Sequence, residues 1–319
     1  VAVKKHWTLS RVLDHIRKYG KNSETINVIY VIDDKGALVD DLQIQKILLE
    51  NPNTLVEDIV DSRLVSLNAN DDQEEAVQTF RMNNRVALPV VDDANILLGI
   101  VTIDDILWVA NEEYTEDIQK IGGTEALDEP YLDTPILGLV RRRVGWLAIL
   151  MLGQMLTFQA MEIFQNDIEK LVVLSLFVPM IISCGGNSGS QASTLIIQAM
   201  ALGEITIRDW RKVMKKEILS GALLGLVLAV IGFGRIAVGY AIEPAIYQGI
   251  WIPLSLCIAT SVFFIVLWGS LSGSMLPLFL KRLGLDPANS SAPFVATLVD
   301  VTGVLIYFSC ALAFLGNYL

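Results

Sequence analysis

Five long apolar runs in the second half of the chain limit the folds that are open to it. Each run is about 20 residues or longer, the length at which an α-helix crosses the hydrocarbon core of a bilayer. The second and fourth exceed a straight span and contain proline, so we expect tilt or local breaks in them. The sequence therefore predicts a membrane all-α domain of five transmembrane helices at residues 144–319. The runs are approximately Val144 to Phe164, Leu171 to Met200, Ile218 to Ile242, Ile250 to Leu280 and Ser291 to Leu315.

The basic residues of the loops indicate how these helices are oriented. Ten lie before the first run or in the loops after the second and fourth runs, whereas Lys170 and Arg235 alone lie in the opposite loops. Lys and Arg accumulate in short cytoplasmic loops of membrane proteins. We therefore expect a multi-pass protein of the plasma (inner) membrane, surrounded by membrane lipid, with a cytoplasmic N-terminus and an extracytoplasmic C-terminus.

The acidity of the chain is confined to its first half. Residues 1–143 carry the whole formal net charge of -11, and basic and acidic residues balance in residues 144–319. So negative a segment does not bind nucleic acid through its phosphates, and divalent or other cations are the expected charged partners. The cysteines, Cys184, Cys257 and Cys310, lie far apart in apolar surroundings, which predicts buried thiols rather than disulfides or a thiolate metal site.

An internal repeat organises the acidic half. Val28 to Leu48 aligns with Ala87 to Leu107 at a constant offset of 59 residues. The acidic pair Asp33 and Asp34 then falls on the pair Asp92 and Asp93. Apolar residues at helical spacing lie upstream of each copy, so each unit reads as helix, strand, acidic turn, strand and helix. The run LPVVD…LLGIVTIDDIL in the second copy resembles a CBS domain, and the whole segment resembles a cytosolic α/β tandem CBS domain. By this resemblance the first unit lacks its opening strand, so the sequence is expected to begin inside that unit.

A helix candidate with an acidic face follows the second unit. The segment WVANEEYTEDIQKIGG ends in two glycines, which can leave a helix through a left-handed cap. Such a face is commonly only solvated. Like charges on adjacent turns also repel, and a divalent cation removes that repulsion, so a cation site is the alternative interpretation. The acidic residues are Glu112, Glu113, Glu116 and Asp117.

Asp300 is the strongest single indication of a functional site. It lies nine residues into the fifth run, about 14 Å along a helix. Ionisable residues at that depth are costly and usually face protein or water, although a structural hydrogen bond between helices is an alternative. One carboxylate cannot compensate a dication, whereas a two-fold axis along a pore would bring two together. Such a site of oxygen ligands favours hydrated Mg²⁺ and predicts a homodimer.

The second apolar run carries a polar stripe formed by Asn187, Gln191, Thr194 and Gln198. The stripe must face something polar, either an aqueous path or a neighbouring helix. The sequence Gly186-Asn187-Ser188-Gly189 matches a motif of intramembrane serine proteases, but no histidine lies in the membrane half to act as base. An aspartyl protease needs two deep carboxylates, and Asp300 is the single one, so we expect a protein that is not an enzyme.

The sequence as a whole resembles the MgtE family of magnesium channels. The resemblance rests on the segments PMIISCGGNSGSQASTLIIQAMALGEI, DWRKVMKKEI and LGLDPANSSAPFVATLVDVTGVLIYF. It implies a homodimer with five membrane helices per subunit, a cytosolic CBS pair and a connecting plug helix. These would occupy residues 144–319, residues 1–107 and residues 108–143, respectively. By the same resemblance we expect the sequence to lack the family's N-terminal helical domain, and Ala292 stands where members often have Asn.

The resemblance also implies functional residues. Asp300 would bind hydrated Mg²⁺ in the pore, with the backbone near Ala296 and the side chain of Asn187 close by. The acidic residues of the plug helix would meet an acidic CBS surface, and cytosolic Mg²⁺ bridging the two would close the pore. That CBS surface would comprise Asp92, Asp93, Asp104 and Asp105.

We therefore expect a Mg²⁺-selective channel in which gradient and voltage drive uptake, since no motif for nucleotide hydrolysis is present. Two alternatives remain: an ion-coupled exchanger of divalent cations, and a membrane-anchored sensor of cations or nucleotides. A CBS pair can bind ATP or another adenine nucleotide, and Thr102 and Asp105 match the ribose-contacting pattern. The first unit departs from that pattern, with Gln43 and Lys46 at the corresponding positions.

Overall fold

The computed structural model describes residues 1–61, 63–247 and 249–318. The chain divides into two compact units, Val1–Tyr114 and Thr115–Leu319. The fourth helix, Ile103–Ile121, runs from the first unit into the second. The boundary predicted after residue 107 falls inside this helix, and the division into three segments remains a prediction.

The first unit consists of two copies of one α/β motif. In each copy, a short strand precedes a helix, two further strands and a second helix. Helix α1 follows the expected pattern, since Leu9, Val12 and Ile16 are buried and Thr8 caps its N-terminus. The elements are β1 (Ala2–Lys4), α1 (Leu9–Tyr19), β2 (Val28–Ile32), β3 (Leu38–Gln43), α2 (Ile44–Leu49), β4 (Leu67–Asn68), α3 (Gln73–Asn83), β5 (Ala87–Val91), β6 (Leu97–Thr102) and α4 (Ile103–Ile121).

The two sheets have the same topology. In the first, β2 lies between a parallel β1 and an antiparallel β3, and in the second, β5 lies between a parallel β4 and an antiparallel β6. Strand β1 therefore occupies in the first copy the place that β4 occupies in the second. The expectation that the first unit lacks its opening strand is wrong, because β1 pairs with β2. The strand has three residues, which are too few to show a strand periodicity in the sequence.

The acidic turns of the repeat join the two copies. Asp33 Oδ1 accepts hydrogen bonds from two backbone N–H groups of its own turn, both at 2.8 Å, and Asp92 Oδ1 does the same at 2.9 and 2.8 Å. The turns pair with each other through a bridge between Ala37 and Ile96. These aspartates therefore shape the backbone of the turns.

One buried ion pair also connects the copies. Arg85 of the second copy donates a 2.7 Å hydrogen bond to the Asp41 carboxylate in the first. Burial raises the pKa of Asp41, and the Arg85 guanidinium partly offsets this effect. Removing Arg85 would leave an unpaired carboxylate beside the largely buried Tyr30, which is a costly arrangement.

The second unit is helical, and its residues that the structure describes form five helices long and apolar enough to cross a membrane. The predicted number of spans and the fold class are confirmed. The first and third spanning helices begin about two turns earlier than predicted, because their basic residues continue the helix beyond the apolar run, where long side chains can reach water. The helices are α5 (Ile136–Ile163), the short α6 (Gln165–Lys170), α7 (Val173–Ala201), α8 (Trp210–Ile242), α9 (Trp251–Arg282) and α10 (Ala292–Leu315).

Helices α7 and α9 cross closely at two pairs of glycines. A Cβ added at Gly269 would lie 2.4 Å from the Gly185 carbonyl oxygen, and one added at Gly273 would lie 2.1 Å from that of Gly189. Small residues spaced by four allow this backbone approach in membrane helices. The local breaks that we expected in these two helices are not found: α7 continues through Pro179 and α9 through Pro277.

Candidate functional site

Asp300 lies on α10 and faces a glycine of α7. A Cβ added at Gly186 would lie 3.8 Å from Asp300 Oδ1 and 3.4 Å from the Cβ of Ala296. Ala296 and Asp300 are one turn apart, so both border the same space beside the α7 backbone. The carboxylate is half-buried in the single chain.

Small residues bring the three helices together around this carboxylate. On α5, a Cβ added at Gly153 would lie 2.8 Å from Thr297 Cγ2. On α7, a Cβ added at Gly185 would lie 2.7 Å from Val299 Cγ1. Because neither glycine can be enlarged without moving α10, the packing fixes the position of Asp300 between α5 and α7.

The start of α10 is held by a network of hydroxyl groups. Ser291 accepts a 3.3 Å hydrogen bond from the backbone N–H of Phe294 and caps the helix. Ser190 and Ser193 of α7 donate to the carbonyl oxygens of Ala292 and Ser290 at 3.0 and 2.9 Å. These contacts join the loop before α10 to α7 and set the height of Asp300 along the helix bundle.

The polar stripe of α7 lies outside the packed core of the chain. All four of its side chains are exposed, whereas Gly185, Gly186 and Gly189 of the same helix are buried against neighbouring helices. Asn187 donates a weak 3.4 Å hydrogen bond to Ser183. Exposed amides in the middle of a spanning helix require water or another protein surface beside them. The predicted approach of Asn187 to Asp300 remains a prediction.

The sequence matches a family model over the helices that carry this site. The MgtE model, described as a divalent cation transporter, matches residues 178–310, and the CBS domain model matches residues 56–112. A relative from Thermus thermophilus, a magnesium transporter MgtE, is 40% identical over 312 residues, which cover 98% of this chain and 67% of the relative. The chain belongs to the MgtE family. A magnesium transporter MgtE from Bacillus subtilis is 30% identical over 99% of this chain and 68% of its own length.

The recognised family resemblance is thus confirmed, and the chain spans about two-thirds of these MgtE relatives. The relatives are named as transporters, in agreement with a protein that is not an enzyme. Among solved structures, the cytosolic domain of the Mg²⁺ channel MgtE in complex with ATP is 38% identical, with a TM-score of 0.34. The match covers 34% of this chain and 44% of that one.

Several acidic residues assigned to the regulatory surfaces of this MgtE-family chain already have partners. In the first unit, Gln73 donates a hydrogen bond to Glu113, and Asn68 donates one to Asp93 at 3.0 Å. Thr102 donates a 2.9 Å hydrogen bond to Asp105. Among the residues that the structure describes, no group of three or more His, Cys, Asp or Glu is positioned to hold a metal ion. The regulatory cation sites remain predictions.

In the second unit, Lys120 joins the end of α4 to the loop before α10. Its ammonium group lies 2.5 Å from Glu116 Oε1 and 2.6 Å from Asp286 Oδ2. Burial lowers the pKa of Lys120, but the hydrogen bonds to Asp286 and Glu116 outweigh burial and raise it. Glu116 therefore pairs with a cation of its own chain. The spacing of four residues between Glu116 and Lys120 indicates this pair in the sequence. The contact between Lys120 and Asp286 joins distant segments, so the sequence does not indicate it.

The predicted nucleotide residues, Thr102 and Asp105, do not border the cavity found between the strands and helices of the first unit. A cavity of about 260 Å³ there is bordered by Asn27, Gln43, Ile44, Asn84 and Arg85 among others. Thr102 is buried, with its hydroxyl used by Asp105. Adenine nucleotide binding at Thr102 and Asp105 therefore remains a prediction.

Proposed function

We propose that this chain forms a homodimeric Mg²⁺ channel of the plasma (inner) membrane. One observation carries the proposal: a carboxylate in the middle of a spanning helix lies beside the Gly186 backbone of α7, a helix whose polar stripe is exposed. The magnesium transporters among the relatives support the choice of ion.

The chemistry of the site suits an ion that keeps its water. Mg²⁺ dehydrates reluctantly and binds proteins through one or two carboxylates together with several waters. Gly186 and Ala296, which lie beside Asp300, are small and uncharged, so they leave space and add no charge. Carboxylate oxygens can accept hydrogen bonds from the inner water shell of the ion, so the ion crosses without losing that shell.

The dimer explains both the charge balance and the exposed amides. A single Asp300 supplies one negative charge, and its copy across a two-fold axis supplies the second. The polar stripe and the half-buried carboxylate both lie on surfaces that the chain itself does not cover. A second copy facing them would enclose a polar path and would remove amides from contact with lipid.

The driving force is electrical as well as chemical. A membrane potential contributes about 2.3 kcal/mol per charge per 100 mV, and this contribution doubles for a dication. With the acidic unit in the cytoplasm, as the basic loops predict, an inside-negative potential favours uptake. The channel therefore needs no nucleotide hydrolysis.

Mg²⁺ flux into liposomes tests this function. The full chain is reconstituted, an inside-negative potential is set with valinomycin and K⁺, and an internal Mg²⁺ dye reports entry. We expect uptake that follows the potential and persists when Na⁺ and H⁺ gradients are abolished. Uptake that requires an opposing Na⁺ or H⁺ gradient would establish the exchanger instead. Absence of Mg²⁺ uptake from correctly inserted protein would favour the sensor.

The acidic face of α4 is proposed to close the channel when cytosolic Mg²⁺ is high. The ion must bind the closed state more tightly, because a ligand shifts an equilibrium only through differential affinity. Carboxylates of α4 and of the CBS surface repel at low Mg²⁺ and are bridged at high Mg²⁺. The four acidic residues of α4 lie on successive turns, where one cation relieves several repulsions.

We expect that neutralising this face weakens the closure. In a variant with Glu112→Gln, Glu113→Gln, Glu116→Gln and Asp117→Asn, the Mg²⁺ concentration on the cytosolic side that halves conduction should rise at least about tenfold, a coupling of roughly 1.4 kcal/mol. Patch-clamp recordings over a Mg²⁺ series measure this. A control with Glu24→Gln, Glu50→Gln and Glu57→Gln, all at exposed positions of the first unit, should keep the native inhibition. Equal inhibition in the four-site variant contradicts the gate.

A further inference from the structure

A cavity of about 430 Å³ lies in the second unit, where the end of α4 meets the start of α5. Asp300 does not border it. Its lining contains two carboxylates and two cations, so the charges of the lining balance. These charged residues are Glu116, Lys120, Glu125 and Arg142.

One face of α5 forms a wall of this cavity and changes from charged to apolar along the helix. The residues of this face are Arg142, Gly145, Trp146 and Ile149. Their spacing of three and four places them side by side. Arg142 precedes the apolar run that begins at Val144, and Ile149 lies about 10 Å further along the helix. Because tryptophan is enriched at the boundary between bilayer and water, the cavity spans that boundary with a polar end and an apolar end.

The indole of Trp146 is held in place as part of this wall. Its Nε1 atom donates a 3.0 Å hydrogen bond to Ser291 Oγ. On another side, a Cβ added at Gly123 would lie 2.9 Å from Trp146 Cδ1. Gly123 has a φ of 76°, a left-handed conformation that glycine adopts without strain. The chain therefore closes tightly on the indole, and the ring lines the cavity instead of filling it.

The charged groups of the lining differ in how far partners satisfy them. Lys120 and Glu116 pair with each other at 2.5 Å. Arg142 pairs with Asp128 and donates to a backbone carbonyl group, which leaves further N–H donors on its guanidinium. Within the part of the chain that the structure describes, the Glu125 carboxylate has no ion-pair partner. Glu125 and Arg142 are adjacent, since the backbone N–H of Glu125 donates a 3.2 Å hydrogen bond to the Arg142 carbonyl oxygen.

We propose that this cavity binds the headgroup of a zwitterionic phospholipid that carries an ethanolamine ammonium. The lipid phosphate accepts hydrogen bonds from the Arg142 guanidinium, and the ammonium donates to the Glu125 carboxylate. The acyl chains pass along Trp146 and Ile149 into the bilayer. An anionic headgroup gains the contact with Arg142 but meets the carboxylate of Glu125, and a soluble ligand leaves the apolar end unused. This inference does not depend on which ion the protein conducts.

Native mass spectrometry of the full chain in detergent measures the binding, with one lipid titrated at a time. The three lipids share dioleoyl chains and carry a phosphoethanolamine, phosphocholine or phosphoglycerol headgroup. We expect the ethanolamine lipid to bind about tenfold more tightly than the choline lipid, because the methylated nitrogen of choline donates no such hydrogen bond to a carboxylate. Glu125→Gln should remove this preference. Glu129→Gln, at an exposed position outside the lining, should keep it.

Gly145→Leu tests the cavity itself. A Cβ added at Gly145 meets no atom within 4 Å, so the larger side chain should enter the cavity and exclude the lipid while the unfolding temperature stays the same. Gly234→Leu is the matched control, because Gly234 is equally open on α8. This control should bind the ethanolamine lipid as the wild type does.

Three results overturn the inference. Equal affinity for the ethanolamine and choline lipids in the wild type, or a preference that survives both Glu125→Gln and Gly145→Leu, removes the site. Tighter binding of the phosphoglycerol lipid, lost in Gly145→Leu, assigns the cavity to an anionic headgroup. Displacement of the lipid by an equal concentration of soluble phosphoethanolamine shows that the acyl chains contribute nothing. Since Mg²⁺ flux is not measured in these experiments, none of these results decides the proposed function.

Discussion

Asp300→Asn is expected to lower Mg²⁺ flux by about a hundredfold or more. A dication and a carboxylate separated by one water layer attract by several kcal/mol at the effective dielectric constant of a protein-lined site, and about 1.4 kcal/mol corresponds to a factor of ten. The amide keeps the size of the side chain and its capacity to form hydrogen bonds. The loss therefore reports charge rather than packing. Initial Mg²⁺ uptake into liposomes measures it.

Glu162→Gln is the matched control for this variant. Glu162 lies at the end of α5 and is exposed, so its neutralisation removes one charge from the same helical unit without touching the site. It should keep at least most of the native flux. Asp300→Glu retains the charge on a longer side chain and should conduct better than Asp300→Asn. Native flux in Asp300→Asn with correct insertion would remove the basis of the proposed pore.

Gly273→Ala is expected to destabilise the helical unit by about 3 kcal/mol, at the upper end of the usual cost of overpacking. The added Cβ would lie 2.1 Å from the Gly189 carbonyl oxygen and 2.8 Å from its carbonyl carbon. Both atoms belong to backbone and cannot turn away as a side chain can. Helices α7 and α9 must then separate, and Gly189 and Gly185 of α7 lose their fit against α10. Thermal unfolding in detergent and Mg²⁺ flux should both reveal the loss.

Gly234→Ala provides the comparison for the same chemical change. Gly234 lies within α8, and an added Cβ there meets no atom within 4 Å. Alanine has the better helix propensity, so the unfolding temperature should stay the same or rise slightly. The two alanine variants should differ clearly in unfolding temperature. If they unfold alike, the close crossing of α7 and α9 does not contribute to stability as the geometry implies.

Local composition carried most of what the sequence predicts correctly. The five spans follow from apolar length, and the second CBS-like copy follows from a repeated strand pattern with acidic turns. Asp300 can be recognised in the sequence because placing a carboxylate within an apolar run costs free energy wherever the helix packs. These features depend on the chain near the residue itself, so no knowledge of distant contacts is needed.

The opening strand β1 was missed because a strand of three residues is defined by its pairing with β2 and not by a pattern of its own. The prediction of local breaks at Pro179 and Pro277 was wrong, because α7 and α9 continue through these residues. Neighbouring helices can support such an unbroken backbone.

Sequence alone predicts five runs long and apolar enough to cross a membrane, a repeated acidic α/β unit and one carboxylate deep within the last run. The tertiary structure alone decided which groups surround that carboxylate. Apolar length and charge are properties of single segments, and the cost of exposing them to the wrong solvent acts wherever the segment lies. The neighbours of Asp300 depend instead on glycines of three helices. These glycines fix how closely the helices approach and in which register they pack. No single segment of the sequence contains that information.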